Sequence, residues 1–384
     1  MNKINSIHFL KKVNKLTVQL FFVSSIIFTA INLEAESPID ETLVSMAIGS
    51  LRVWSSSNAL YSIEEEQLVP ERGLFLFNNK FKNERPKDWP ILQVVDEIII
   101  GSLIKGYLYS NSPIEHIEVV LENSDGTKLN GVSFPIGIDQ KGEIWAILVP
   151  VSTTVNSGVA HLSVNGSYAK TYKSGNAFEF IFIHELIVKS KFFQSEEISL
   201  TSALSDLRET SDKRRVEQTQ MLTDLLFTTR YFRNYYYGEL QLPLSDAVRS
   251  AGFGDRRIYK YDNGSSTRSI HNGIDFASPK GEIIFASGSG MVVMAEKRMI
   301  TGLSLAIEHL PGVYSLYYHL DSIKVIKGDL VEKGQEVGTV GKSGFATGAH
   351  LHWEVRVGGI AIDPDTIVHK SLLDIPDNLY IIGR

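Results

Sequence analysis

The feature that most constrains this chain is the way its apolar residues arrive in short runs broken by turn residues. From residue 96 onward, "EIIIGSLIKGYLY", "IEHIEVVLEN", "GEIWAILVPV", "GVAHLSVNG" and "FEFIFIHEL" are separated by "NSDG", "DQKG" and "NGSYAKTYKSGN". Runs of this length, rich in Val, Ile, Tyr and Phe and punctuated by Gly, Asn and Asp, form strands and hairpins, and at this spacing they stack as two sheets. An immunoglobulin-like β-sandwich over residues 96–190 is therefore expected. Residues 243–370 repeat the texture in "GEIIFASGSGMVVMAEK", "LSLAIEHLPGVYSLYYHL" and "LVEKGQEVGTVGKSG", with no helical periodicity, so a C-terminal all-β domain, barrel-like or sandwich, is expected there. Between the two, Met221, Leu222, Leu225, Leu226 and Thr229 fall at helical spacing behind an N-cap at Ser211 and Asp212, which makes residues 191–242 a linker built on a helix. The fold class is mainly β. Residues 36–95 read as an irregular lead-in with a few strands, and residues 371–384 as a C-terminal tail.

The N-terminus sets the compartment. "MNKINSIHFLKKVNK" carries lysines and no acid, "LTVQLFFVSSIIFTAINL" is apolar, and "EAES" follows with Ala35 at a cleavage position, which is the order of an export signal over residues 1–35. An apolar stretch of this length also suits an uncleaved membrane anchor through residues 16–33. Both readings put the remainder outside the cytoplasm. The chain contains no cysteine, which removes disulfide frameworks, thiolate metal sites and cysteine nucleophiles together, and an exported chain of that kind fits a bacterial envelope, periplasm or cell surface. A formal net charge of −6 gives no attraction to nucleic acid.

Without thiolates, a metal must be held by nitrogen and oxygen, and the histidines concentrate where that chemistry is possible. Of ten, six lie from His271 onward. In "HLHWEVR" His350 and His352 are two apart, so on a strand they share a face about 6.5 Å from each other. At that separation one of them reaches an ion and the other stands beside its water. In "HNGIDFASPKG" His271 and Asp275 would be about 13 Å apart if fully extended, so a bend at Asn272 and Gly273, through a bulge or a left-handed residue, is needed to bring them together. In "YSLYYHL" the residues Val313, Ser315, Tyr317 and His319 are expected on one strand face, so that His319 reaches the same pocket. Two imidazoles and a carboxylate suit zinc with an open fourth position. His309 is assigned to its turn. Other motifs fail: "HELIV" at His184 has a valine where a zincin helix needs its second histidine, "VGKS" has Glu336 where a phosphate loop needs glycine, and no GxSxG is present.

"GFGDRR", "HNGIDFASPKG", "LYYHL", "IKGDLVEKGQEVGTVGKSGFATGAHLHWEVR" and the closing "IDP", in this order over residues 243–370, resemble the lysostaphin/LytM-type zinc metallopeptidases, a family of peptidoglycan endopeptidases. The resemblance implies one Zn2+ per chain, ligated by His271, Asp275 and His352, with His319 and His350 as the catalytic residues flanking the attacking water. It implies a peptidoglycan peptide as substrate, cut at a cross-link or in a stem peptide, with protein regulators of cell-wall hydrolysis as further partners. The chain departs from the family pattern at "TGLSLAIEHLPG", where Leu303 replaces a groove asparagine and Leu310 a glycine. Two alternatives compete with this reading: an inactive relative that regulates wall hydrolases by contact, which is expected to lack a ligand, and a biotinyl- or lipoyl-like carrier, which needs a lysine at a hairpin tip that this chain does not offer.

Overall fold

The computed structural model describes residues 90–139, 142–168, 178–209, 211–228, 236–245 and 248–373, with strand backbone also at Leu51–Arg52, Gly73–Asn78 and Tyr380–Ile381. The expected signal or anchor, most of the lead-in and most of the tail lie outside the described residues. Among the described residues no helix is long and apolar enough to cross a membrane.

The first β-rich stretch forms β1 (Ile91–Gln93), β2 (Glu97–Ile99), β3 (Leu103–Ser110), β4 (Ile114–Asn123), β5 (Lys128–Asn130), β6 (Val132–Asp139), β7 (Gly142–Pro150), β8 (Gly158–Tyr168) and β9 (Phe178–Lys189). They make two sheets, one ordered β9–β8–β4–β5 with β2 beside β9, the other β6–β7–β3–β1. Alternation explains the layering: Val119 and Leu121 of β4, Leu162 and Val164 of β8 and Phe182 of β9 meet Leu108 of β3 and Ile147 and Val149 of β7 in a shared core. Strand β7, "GEIWAILVP", does not alternate with polar residues because both of its faces are covered. Its Ile144, Ala146 and Leu148, with Phe134 and Ile136 of β6, enter a second core that also contains Val313, Trp353, Val355 and Ile362 from the C-terminal β-domain.

The linker contains more than the expected helix. It holds a strand, β10 (Ser195–Ser199), and two helices, α1 (Ser202–Glu209) and α2 (Lys213–Phe227). Asp212 caps α2 by accepting a 2.8 Å bond from the Arg214 N–H, as the N-cap reading anticipates. Leu226, with Leu222 and Leu225, packs on Val293, Tyr314, Leu316 and Tyr318, burial worth about 1.5–3 kcal/mol for a fully covered leucine.

The C-terminal strands are β11 (Val248–Ala251), β12 (Arg256–Lys260), β13 (Ser266–Ile270), β14 (Ile274–Ala277), β15 (Ile283–Phe285), β16 (Gly290–Arg298), β17 (Gly302–Leu310), β18 (Val313–Ile323), β19 (Leu330–Val331), β20 (Glu336–Val340), β21 (His350–Val357) and β22 (Ile360–Ile362). One ten-stranded sheet runs β11–β14–β21–β18–β17–β16–β19, with β20 joining β18 to β15 and β22 on β21. The linker strand β10 pairs parallel with β12, which pairs with β13, in a separate three-stranded sheet. On β21 Leu351, Trp353, Val355 and Val357 point into the core, which leaves His350, His352 and Glu354 together on the opposite face.

Candidate metal centre

Strand register assembles the centre. In the ladder β14–β21–β18, Asp275 lies opposite His352, and His352 lies opposite Tyr318, so one row crosses three strands. His271 precedes β14 and joins the row through the bend at residues 272–273. Gly273 permits that bend by close approach, because a Cβ there would sit 2.2 Å from the Trp353 carbonyl oxygen. Its φ is not among the positive ones, so the left-handed alternative entertained from the sequence is not what bends the chain.

Three atoms converge. His271 Nε2 lies 3.1 Å from Asp275 Oδ1 and 2.9 Å from His352 Nδ1, and His352 Nδ1 lies 2.7 Å from Asp275 Oδ1. All three residues are buried, and among the described residues they form the one His/Asp/Glu group whose donor atoms could hold a metal ion. Their outer bonds decide what they present. His271 Nδ1 donates to the Gly252 carbonyl at 2.6 Å, and His352 Nε2 donates to Glu354 at 2.9 Å. Each neutral ring is thus left with its lone pair on the inward nitrogen, where the carboxylate oxygen adds further negative charge. Three acceptors at these distances cannot satisfy one another; the donor set fits a divalent cation.

In the absence of a cation a proton takes its place: burial disfavours a charged His352, yet its bonds to Asp275 and Glu354 lift it to about 9, so a bound ion must displace that proton to meet a neutral ring. Burial also opposes an ionised Asp275, but the two imidazoles hold it far below the ordinary carboxylate range. Its second oxygen accepts a 2.7 Å bond from Arg257 Nη2, whose Nε donates to Glu196 on β10 at 2.6 Å. Glu354 is kept ionised, at about 2, against its own burial by Arg356 and His352.

His319 and His350 stand beside the cluster, with rings 4.8 Å apart and His319 6.2 Å from His352. His350 Nε2 is 3.8 Å from Asp275 Oδ1, outside the converging trio. The expected shared face of Tyr317 and His319 is corrected here. Tyr317 points into the core and bonds Ser287, whereas the neighbouring residues Tyr318 and His319 both lie against His352, Tyr318 by parallel stacking at 5.5 Å. The cause is a break in the pleat: His319 has φ 64°, and the β18 ladders slip on both sides of it. Its N–H donates to the Thr301 carbonyl at 2.9 Å and its Nδ1 to the Ser343 carbonyl at 2.8 Å, which fixes the strained residue and its tautomer. Leu303 packs its side chain on the main core while its N–H donates to Ser343 Oγ at 2.8 Å, so it braces the segment that holds His319. His309 is a buried core residue bonded to the Ser289 carbonyl and Ser315.

Sequence reasoning missed Glu354, Arg257, Tyr318 and the Gly252 carbonyl. Glu354 was accessible to it, being two residues beyond His352 on the same face.

The all-β frame and this cluster define a domain built around a buried His–Asp–His group whose donor atoms fit a cation. The chain matches peptidase family M23 over residues 269–364. It is 42% identical over 105 residues to the peptidoglycan DD-endopeptidase ShyB of Vibrio cholerae, covering 27% of this chain and 25% of that protein. It is 36% identical over 98 residues to the DD-carboxypeptidase/endopeptidase Mpg of Neisseria meningitidis, covering 26% and 23%. The catalytic domain of the prophage-encoded M23 protein EnpA of Enterococcus faecalis is 30% identical, with 36% of this chain and 96% of that chain covered, at a TM-score of 0.28. The chain spans about a quarter of the length of the curated relatives it matches. The family read from the motifs is borne out.

Proposed function

We propose that this chain is a zinc-dependent endopeptidase that works outside the cytoplasm on peptide bonds of bacterial peptidoglycan, in cross-links or stem peptides. The observation that carries the reading is the convergence of His271 Nε2, Asp275 Oδ1 and His352 Nδ1 with two further imidazoles alongside. The names of the curated relatives supply the substrate class. The regulator alternative rests on Leu303 in place of a groove asparagine, while all three expected ligands are present.

One zinc ion held by His271, Asp275 and His352 would supply a Lewis acid and lower the pKa of a coordinated water to about 7. The chain's own groups account for the rest. Burial, then the neighbouring His350 and His352, hold His319 at about 3, so its ring is neutral at pH 7. With Nδ1 committed to the Ser343 carbonyl, its Nε2 is free to take the proton of the attacking water. His350 donates its Nδ1–H to the Gly348 carbonyl at 3.0 Å, so its Nε2 presents a lone pair and donates to the carbonyl oxygen only once it has taken up a proton. Glu354 and Gly252 keep the ligand rings turned inward.

The test is metal analysis of the purified full chain together with digestion of isolated sacculi and mass analysis of the products. Stoichiometric zinc and released peptide-cleaved fragments are expected, with both lost in His271→Ala. Stoichiometric zinc in His271→Ala, or intact sacculi with zinc-loaded protein, would overturn the assignment.

A further inference from the structure

We infer that Gln218, on the linker helix α2, is a positioning residue for His319, which makes this helix part of the catalytic apparatus. The inference rests on the peptidase reading above and adds to it a residue far upstream of the ligands. In β18 a regular pleat would carry His319 to the same face as Tyr317, into the core and away from His352. The left-handed φ of 64° is what turns the ring toward the ligands. A histidine keeps that conformation where its surroundings over-determine it.

Those surroundings are one turn and one loop, tied to each other. The turn over residues 299–301 joins β16 to β17, and its Thr301 carbonyl accepts the His319 N–H at 2.9 Å. The loop after β20 supplies the Ser343 carbonyl, which accepts from His319 Nδ1 at 2.8 Å. Turn and loop are joined where the Ile300 carbonyl accepts the Phe345 N–H at 2.7 Å and the Leu303 N–H donates to Ser343 Oγ at 2.8 Å. The fit is close, since a Cβ at Gly302 would come within 2.3 Å of Ser343 Oγ. Both anchors of His319 therefore move with this turn.

Helix α2 holds the turn from outside. Gln218 Oε1 accepts the Met299 N–H at 2.9 Å, and the Gln218 carbonyl accepts from Arg298 Nη2 at 2.9 Å. Arg298 is buried, and its Nη1 reaches Thr301 Oγ1 at 3.4 Å, itself 2.7 Å from Ser304 Oγ. A short chain of bonds thus leads from the helix through Met299 and Arg298 to Thr301, and from there to His319. Leu222, Leu225 and Leu226 pin the far end of α2 to the sheet, so the helix serves as a fixed post. Without the Gln218 oxygen the turn keeps its strand ladder and the Arg298 bonds, and it can shift as His319 relaxes toward an ordinary strand conformation. A displacement of about 1 Å at a reacting group costs up to about 100-fold in rate.

The full chain is loaded with zinc and assayed on a cross-linked stem-peptide dimer. Gln218→Leu should lower kcat about tenfold while KM and zinc affinity stay within about twofold of wild type. Gln218→Glu keeps the accepting oxygen and should recover most of the loss. Gln218→Asn is too short to reach Met299 and should behave as Gln218→Leu, so the result does not depend on one variant folding. A double-mutant cycle separates positioning from scaffolding: in a His319→Ala background, Gln218→Leu should change the residual turnover by less than about twofold, because a group that acts through His319 has nothing left to act on. An equal loss in both backgrounds overturns the inference, as does wild-type kcat in Gln218→Leu. NMR spectra of the histidine ring nitrogens at pH 7 give a reading independent of turnover. Wild type should show His319, identified by its loss in His319→Ala, as a single ring protonated on Nδ1, and in Gln218→Leu that signal should broaden or divide between tautomers. An unchanged His319 signal in Gln218→Leu also overturns the inference. Failure of wild type to cut the dimer refutes the peptidase reading, and the ring spectra then still decide the role of Gln218.

Discussion

Glu354→Gln is the substitution that most directly examines how this chain prepares its metal ligands. The buried Glu354 carboxylate does two jobs at once: Oε1 accepts from His352 Nε2 at 2.9 Å and Oε2 accepts from Arg356 Nε at 2.6 Å. Glutamine has nearly the same shape but only one accepting oxygen. Turned one way, its amide N–H group faces the Arg356 Nε–H, two donors in contact, and the arginine loses its charge partner. Turned the other way, the amide N–H faces His352 Nε2, which must then give up its proton and carry it on Nδ1, the nitrogen that faces His271 and Asp275. The first orientation leaves a buried group unsatisfied at about 1–3 kcal/mol. The second removes a ligand lone pair, and losing such an outer-shell partner costs about 10- to 100-fold in metal affinity. Competition against a chelator of known zinc affinity, with thermal unfolding of the metal-free protein measured alongside, reads both. The expected result is zinc binding at least about tenfold weaker, or a destabilised metal-free protein, or some of each. Wild-type values in both measurements would refute the claim that Glu354 sets the tautomer of His352.

Other perturbations separate ligands, catalytic groups and scaffold. His319→Ala and His350→Ala should each retain stoichiometric zinc while losing about 100-fold or more in turnover; zinc loss in either would move that ring into the ligand set. Gly273→Ala places a methyl group 2.2 Å from the Trp353 carbonyl oxygen, so β14 and β21 must separate at the point where Asp275 meets His352, and zinc content should fall with stability. His309 is kept neutral by burial, its pKa lowered from 6.5 to about 4, so protonation favours the unfolded chain. Its contribution is fully present above pH 6.5 and is lost as pH falls from there toward 4, about 3 kcal/mol in all. Urea unfolding of wild type should therefore weaken by that much more between pH 7 and pH 4 than unfolding of His309→Gln, and parallel pH dependences would contradict this.

What the sequence showed of the site follows from where simple periodicity holds. Strand β21 keeps its pleat, so "HLHWE" correctly put His350 and His352 on one face, and the same count reaches Glu354. Strand β18 breaks its pleat at His319, and no residue pattern in "YSLYYHL" announces a left-handed histidine, so alternation put Tyr317 where Tyr318 belongs. Arg257 and Glu196 escaped because their meeting with Asp275 depends on a parallel pairing between distant segments, which leaves no local trace. Strand β10, "SEEIS", was lost inside the linker for a related reason: it is half-exposed and polar, held by its backbone ladder to β12. The helix α2 was legible because Leu222, Leu225 and Leu226 make one apolar stripe and Asp212 caps it.

The apolar seam that runs from Phe134, Ile136, Ile144 and Ala146 into Val313, Val355 and Ile362 has a consequence for how the proposed peptidase is restrained. A covering module that swings on a hinge needs a wet, separable boundary, and this boundary is dry and continuous with the interior on both sides. The upstream sandwich is thus fused to the catalytic sheet as a buttress, and shortening the chain to residues 240–384 would strip one wall from that interior and remove the strand carrying Glu196. Any restraint imposed on cleavage must come from somewhere other than a rigid swing of these two layers.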